Sequence, residues 1–315
     1  MIDAPSRARL NLIALYTVGR VLCVVAALLY VAGKLVSDWP AVRALASHWT
    51  LLDSGLSLLA ALAAYPLLVF GWMTILRESR LFQKRFFWCY FRIWLVSYLY
   101  RYVPGKILLL TERARLGRHV GIEPVQGAYM AVLETVLVIV AAILFSIPVV
   151  QSAMEFRSAW SNAAVILVAL LVAGSVGAKA LLRLPRFRER LSSLAQVRLR
   201  PQSLAILLCI YLLFWLLMGL SFFFLVLMLE PVPVFSSPYI IGILALAYAL
   251  GTVTLFAPGG VGVREFVLTI GLSSLMPEGT AAAIALASRI YLTLLELALA
   301  GIAVATIPLP ERVET

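Results

Sequence analysis

The sequence predicts an all-α polytopic membrane protein built as an inverted-topology repeat, with about six full crossings and two re-entrant helical hairpins broken at Pro-Gly. Three observations carry this prediction. The composition is apolar and charge-poor, a Pro-Gly break recurs half a chain apart, and the Lys and Arg positions favour an odd number of crossings per half.

Of the 315 residues, 63% are hydrophobic and 13% are charged, with a mean hydropathy of +1.00. Soluble domains are about half apolar and a quarter charged. Residues 160–178 and 203–229 carry no charge at all, and roughly 20 apolar residues cross a bilayer. Apolar segments lie near 10–32, 51–76, 86–103, 125–147, 160–182, 203–229, 239–257 and 281–306. Shorter ones, 106–111 and 263–275, follow "VPGK" and "PGGVG". Segment 10–32 is longer than a signal-peptide core and lacks an obvious small-residue cleavage site, so it is expected to stay as the first span.

The net charge of +11 does not point to nucleic acid, because Lys and Arg cluster in short connectors with no aromatic interleaving. Cys23, Cys89 and Cys209 lie far apart in apolar runs, as packing residues do. His48 and His119 have no partner at metal-ligand spacing, so no metal or cofactor is expected. Trp39 and Trp49 flank a connector and Trp88 and Trp94 lie in a hairpin arm, which fits interfacial anchoring.

Pro104-Gly105 and Pro258-Gly259 recur at half-chain spacing, and the segments beginning at 10, 51 and 125 recur near 160, 203 and 281. Two repeats follow, 1–155 and 156–315. Arg7 and Arg9, then Arg77, Arg80, Lys84 and Arg85, then the arginines of 183–200, all belong on the cytoplasmic side. Three plain crossings between the last two groups would break that rule. A hairpin over about 86–111 that returns to the cytoplasm satisfies it, and a second over about 239–275 would enter from the other face. Sixteen Lys and Arg then fall inside, three outside (Lys34, Arg43, Arg157), and seven in or beside membrane segments. Both termini are cytoplasmic in this scheme. Eight plain crossings are the alternative.

Breaks at membrane depth are tolerated where they are buried in protein or face a wet cavity. Pro and Gly supply the reversal at Pro104, Gly105, Pro258, Gly259, Gly260 and Gly262. A restarted helix points free N–H groups into that cavity. Around the breaks sit Arg101, Lys106, Arg264 and Glu265, while Glu134, Arg289 and Glu296 lie on apolar spans. Ions at that depth face a cavity or a partner. The structural alternative is salt bridges Arg289–Glu296 and Arg264–Glu265, with Glu134 lacking a nearby partner.

Two stretches, "RYVPGKILLLTERARLGRHVGI" with the following "AVLET", and "APGGVGVREFVL" with the following "ALASRIYLTLLELALA", resemble the lysylphosphatidylglycerol synthase transmembrane-region family. These flippase-like membrane proteins include the membrane half of the bacterial multiple peptide resistance factor. Family members similarly show Arg-x-x-Pro-Gly-Lys with a following Arg, a Glu-bearing helix, and Pro-Gly-Gly-x-Gly-x-Arg-Glu. One departure is Glu112, where relatives often carry a small residue, and either Arg113 or Arg115 matches the following Arg.

The resemblance implies a lipid translocase of the bacterial inner membrane, without the soluble aminoacyl-transferase half, since the sequence stops at Thr315. Its partner would be a membrane phospholipid or polyprenyl-phosphate lipid, with homo-oligomerisation left open. Arg101, Lys106, Arg113, Arg264 and Arg289 would attract the lipid phosphate. Glu134, Glu265 and Glu296 would orient those cations, pair with an amine headgroup, or carry a proton. With no P-loop or acidic metal cluster, no catalytic activity is expected. The rival readings are a membrane-embedded polyprenyl-phosphate glycosyltransferase and a non-transporting assembly partner.

Overall fold

The computed structural model describes residues 50–102, 107–155, 199–254 and 258–311. They form eight α-helices and no strand among the described residues. In order these are α1 (Leu51–Glu78), α2 (Phe87–Leu99), α3 (Ile107–Gly117), α4 (Pro124–Glu155), α5 (Pro201–Leu229), α6 (Ser237–Val253), α7 (Val263–Leu272) and α8 (Glu278–Thr306). The expected spans 10–32 and 160–182, and Pro104, Gly105, Lys106, Cys23, His48, Trp39 and Trp49, lie outside the described residues.

Local chemistry sets the helix ends. Thr50 caps α1 by accepting from the Asp53 N–H at 3.1 Å, with Asp53 in the first turn and Arg77 in the last. Pro201 starts α5 at a position where its missing N–H costs nothing. Gly121, at φ 77°, closes the turn Arg118–Val120 before α4.

Among the described residues, five helices are long and apolar enough to cross a membrane: Leu51–Glu78, Pro124–Val149, Pro201–Leu229, Val234–Val253 and Glu278–Thr306. The chain is therefore a multi-pass membrane protein. Four of these match expected crossings, and Val234–Val253 is the segment expected to be one arm of the second hairpin. The first break differs as well. Its return helix α3 runs to Gly117 rather than ending at 111, because Arg113 finds its partner, Glu134, inside the protein and need not leave it.

The described residues pass twice through one order of elements. A long helix (α1, α5) leads to a short turn (Lys84–Phe86, Val234–Ser236), a shorter helix (α2, α6), a break, a short helix (α3, α7) and a long helix (α4, α8). Packing follows the same exchange: α4 lies against α6 as α8 lies against α2. The two leading helices run antiparallel. Ser54 Oγ donates to Met228 Sδ, Ser57 Oγ to the Ser221 carbonyl at 2.8 Å, and Gly71 sits against Tyr211. A Cβ on Gly71 would come within 2.5 Å of the Tyr211 ring, so the absent side chain sets how closely α1 and α5 approach.

The helices flanking each break make contacts along α8 and with each other. Near the start of α2, Arg92 donates to the Ile307 carbonyl and Cys89 Sγ lies 3.7 Å from the Pro308 carbonyl. At the break, Tyr102 reaches Thr293 and Glu296, the middle of α8. After α3, His119 Nδ1 is 2.8 Å from the Pro310 carbonyl, back beside the end of α8. The second break behaves alike: Tyr239, near the start of α6, donates to the Gly271 carbonyl near the end of α7 at 3.0 Å.

Charge separates the two ends of the bundle. The end holding the C-terminus of α8 carries Arg77, Arg80, Lys84, Arg85, Arg92, Arg115, Arg118 and Arg200, with Arg200 Nε 3.2 Å from Glu78. Asp53, Glu230 and Glu278 lie at the other end.

Two expectations about side chains are corrected here. Trp94 is buried in the core (1% exposed), whereas Trp88 is 64% exposed as interfacial anchoring requires. Cys89 is buried as expected of a packing residue, but Cys209 is exposed, on the outer face of an apolar helix that needs no polarity there.

Candidate functional site: a cavity where the two breaks meet

The "PGGVG" stretch bends as its glycines allow. Gly259, Gly260 and Gly262 have φ of 57°, 72° and 83°, a region L side chains rarely occupy. Close approach adds a second requirement. A Cβ on Gly259 would lie 2.9 Å from the Tyr102 ring, so the second break, in the turn Pro258–Gly260, touches the first across this glycine. Contact falls at the level of Arg289 to Glu296, the middle of α8.

Three ion pairs surround this point, each tying a break or its helix to a long helix. Arg113 on α3 is 1% exposed and pairs with Glu134 on α4, 4% exposed. Its Nε donates to Ser97 Oγ at 2.9 Å, Trp94 Nε1 donates to the second Glu134 oxygen at 2.6 Å, and the guanidinium lies between the Trp72 and Trp94 rings. Glu134, which lacks a partner in the local sequence, thus accepts from two donors, Trp94 on α2 and Arg113 on α3. Arg115, the alternative match to the family pattern, is largely exposed and pairs with Glu112.

Arg101 donates to Glu296 at 2.6 Å and stacks on Tyr98 and Tyr102. Tyr65 and Tyr102 also donate to Glu296, at 2.5 and 2.8 Å, so this carboxylate gathers groups from α1, the first break and α8. Arg289 donates to Glu265 at 2.8 Å, and the other Glu265 oxygen accepts the Gly262 N–H at 2.7 Å. That capping contact occupies an N–H that was expected to face the cavity.

The pairing corrects the sequence expectation. Arg264 and Glu265 do not pair with each other, and neither do Arg289 and Glu296; the observed couples are Arg289–Glu265 and Arg101–Glu296. Neighbours on a helix point in different directions, and residues seven apart are separated by about 10 Å of rise.

Arg264 is the exception. Among the described residues it has no carboxylate partner, its Nε is sealed from solvent with no hydrogen-bond partner, and its guanidinium lies over the Tyr248 ring at 5.4 Å. Its side chain crosses α6 at Gly251, where a Cβ would lie 2.5 Å from the Arg264 Cγ. It faces a cavity of about 230 Å³ that also meets Arg101, Arg113, Glu134 and Gly259. The opposite flank is apolar, with Leu109, Leu110, Val132 and Val136. Val132 and Val136 continue into Val140 and Leu144 as an exposed apolar stripe along α4. Across Arg101 and Arg264, a smaller void of about 20 Å³ touches Tyr65 and Glu296, enough room for a water molecule.

Sequence reasoning missed the tyrosines. Tyr98 and Tyr102 pack on Arg101, Tyr102 also on Arg289, and Tyr248 on Arg264, while Tyr65 holds the Glu296 carboxylate. The signal was present in "YLYRYVPGK", where three rings crowd Arg101 beside the break.

No curated protein matches the chain. A family model described as the lysylphosphatidylglycerol synthase TM region matches residues 14–300. That match spans both breaks and all four central arginines, and the chain belongs to the lysylphosphatidylglycerol synthase TM region family.

Proposed function

We propose that this chain is a flippase-like lipid translocase, not an enzyme. It would move an anionic, aminoacylated or glycosylated phospholipid, or a polyprenyl-phosphate lipid, across the bacterial inner membrane through the central cavity. One observation carries the reading: Arg264, which has no carboxylate partner among the described residues, faces a cavity at the level of the middle of α8 whose other flank is apolar and runs out along α4. A cation without a counter-charge is costly at that depth, by about 2.5–3.5 kcal/mol even on insertion scales. A lipid phosphate would relieve that cost while its tails lie along the apolar stripe. All three central carboxylates are engaged by arginines, which leaves none free to act as a general base.

In this reading 1–155 and 156–315 are inverted repeats, since α1 and α5 occupy equivalent places and run antiparallel. Both hairpins are re-entrant, supported by each chain segment returning to its starting level. Excess Lys and Arg at the α8 C-terminal end fits a cytoplasmic side there, with both chain termini on it. Alternating access by rocking of two inverted repeats around a central site is the mode this architecture favours.

The test uses purified protein in phosphatidylcholine vesicles with fluorescent phosphatidylglycerol as tracer and a membrane-impermeant quencher. Wild type should expose the inner-leaflet tracer, and Arg264→Gln should slow this by about tenfold or more, the worth of a charge-assisted hydrogen bond. Equal rates for the two, or conversion of the tracer to a new lipid species, would contradict the reading.

A further inference from the structure

We infer that a groove between α2 and α8, apart from the central cavity, binds an anionic phospholipid of the leaflet at the Lys- and Arg-rich end. One acyl chain lies in the groove and the phosphate meets Arg92. The inference does not rest on the translocase reading. The groove holds about 530 Å³, within the roughly 300–1,000 Å³ of ligand pockets. Trp88, Phe91 and Leu95 of α2 form one wall, and Leu299, Ile302 and Thr306 of α8 the other. It shares no lining residue with the central cavity. Trp88 and Ile302 at its edges are 64% and 60% exposed, so the groove opens on an apolar outer face of a multi-pass protein.

The residues after α8 close one end of the groove. Ile307 and Pro308 line it. Their segment is pinned at three points: Arg92 donates to the Ile307 carbonyl, Cys89 Sγ lies 3.7 Å from the Pro308 carbonyl, and His119 Nδ1 is 2.8 Å from the Pro310 carbonyl. The closed end is therefore preformed, which lowers the cost of ordering it around a ligand. Arg92 sits there, one helical turn from Trp88 on the same face. Lys84 and Arg85, both exposed, come just before Trp88 in sequence. Among the described residues none of these three cations pairs with a carboxylate. Glu311, on the segment after α8, is exposed.

This combination of an apolar trough and a basic mouth fits a phospholipid in both parts. Basic pockets between helices at a membrane surface hold anionic headgroups. A second copy of the chain fits less well, because a two-fold contact sets a patch against itself and brings these cations together.

The test irradiates purified protein in dodecyl maltoside with phosphatidylglycerol carrying a diazirine in one acyl chain, and maps the labelled peptides by mass spectrometry. Labelling is expected on 88–95 and 299–308, displaced by unlabelled phosphatidylglycerol at about tenfold lower concentration than by phosphatidylcholine. Arg92→Gln should weaken labelling about fivefold, the worth of one basic residue near the surface. Ile302→Trp, which fills the groove from an exposed position, should abolish it, and Arg264→Gln should leave it unchanged. Equal displacement by the two lipids would overturn an anionic ligand, and displacement by inorganic phosphate as effective as by phosphatidylglycerol would overturn a lipid one. No wild-type labelling on 88–95 and 299–308 would overturn the groove as the site, whether or not the variants fold. Loss of labelling in Arg264→Gln would overturn its separation from the central cavity. A dimer in light scattering that Ile302→Trp dissociates would give the groove to a second copy and overturn the proposal.

Discussion

Glu134→Ala is expected to cost about 3–5 kcal/mol of stability, because it leaves Arg113 charged, 1% exposed and without a carboxylate. An ordinary hydrogen bond between helices in a bilayer is worth only about 0.6 kcal/mol on average, so the loss of the Trp94 contact is a minor part of this. The stranded guanidinium decides the outcome. Replacing both partners, as Arg113→Met with Glu134→Leu, should recover most of the loss, since an apolar pair of similar volume removes the burial cost along with the attraction. Unfolding in detergent, read for wild type, both single variants and the double, checks this. Near-additive costs would mean that the two residues are not coupled.

Glu296→Leu is expected to cause a loss of similar size, about 3–5 kcal/mol, through a different set of partners. It strands Arg101 together with the Tyr65 and Tyr102 hydroxyls. Glu296→Gln separates the two contributions, since the amide oxygen still accepts from tyrosine while the counter-charge is gone. If hydrogen bonding dominates, the amide variant should melt near wild type; the account places it closer to Glu296→Leu. Glu296 joins the first break to the second half of the chain, so labelling of α2 and α8 by hydrogen exchange should rise together in the leucine variant.

How far the sequence could foretell this depended on the kind of signal. Five apolar helices and the glycine break at 258–262 were legible because hydropathy and positive-φ requirements act locally. All the central charged residues within the described segments do converge, which the expense of ions at membrane depth foretold. Partner choice was not legible. Burial of Arg113 is one such case: "TERARLG" reads as a polar stretch, and only Glu134, on the next long helix, closes against it. Likewise Trp94 reads as an interfacial ring until Glu134 accepts its N–H. Such pairings depend on how helices cross, and a linear pattern carries no record of that.

The account's centre is that both breaks dip into the membrane from opposite faces and meet around Arg264. Cysteine accessibility tests this most directly, in a background with Cys23, Cys89 and Cys209 replaced by serine. Single cysteines at Lys84 and Arg118, which bracket the first hairpin, and at Phe235 and Ser274, which bracket the second, are labelled with an impermeant maleimide from each side of sealed vesicles. The account predicts that 84 and 118 react from one side and 235 and 274 from the other. Reaction of 84 and 118 from opposite sides would contradict it.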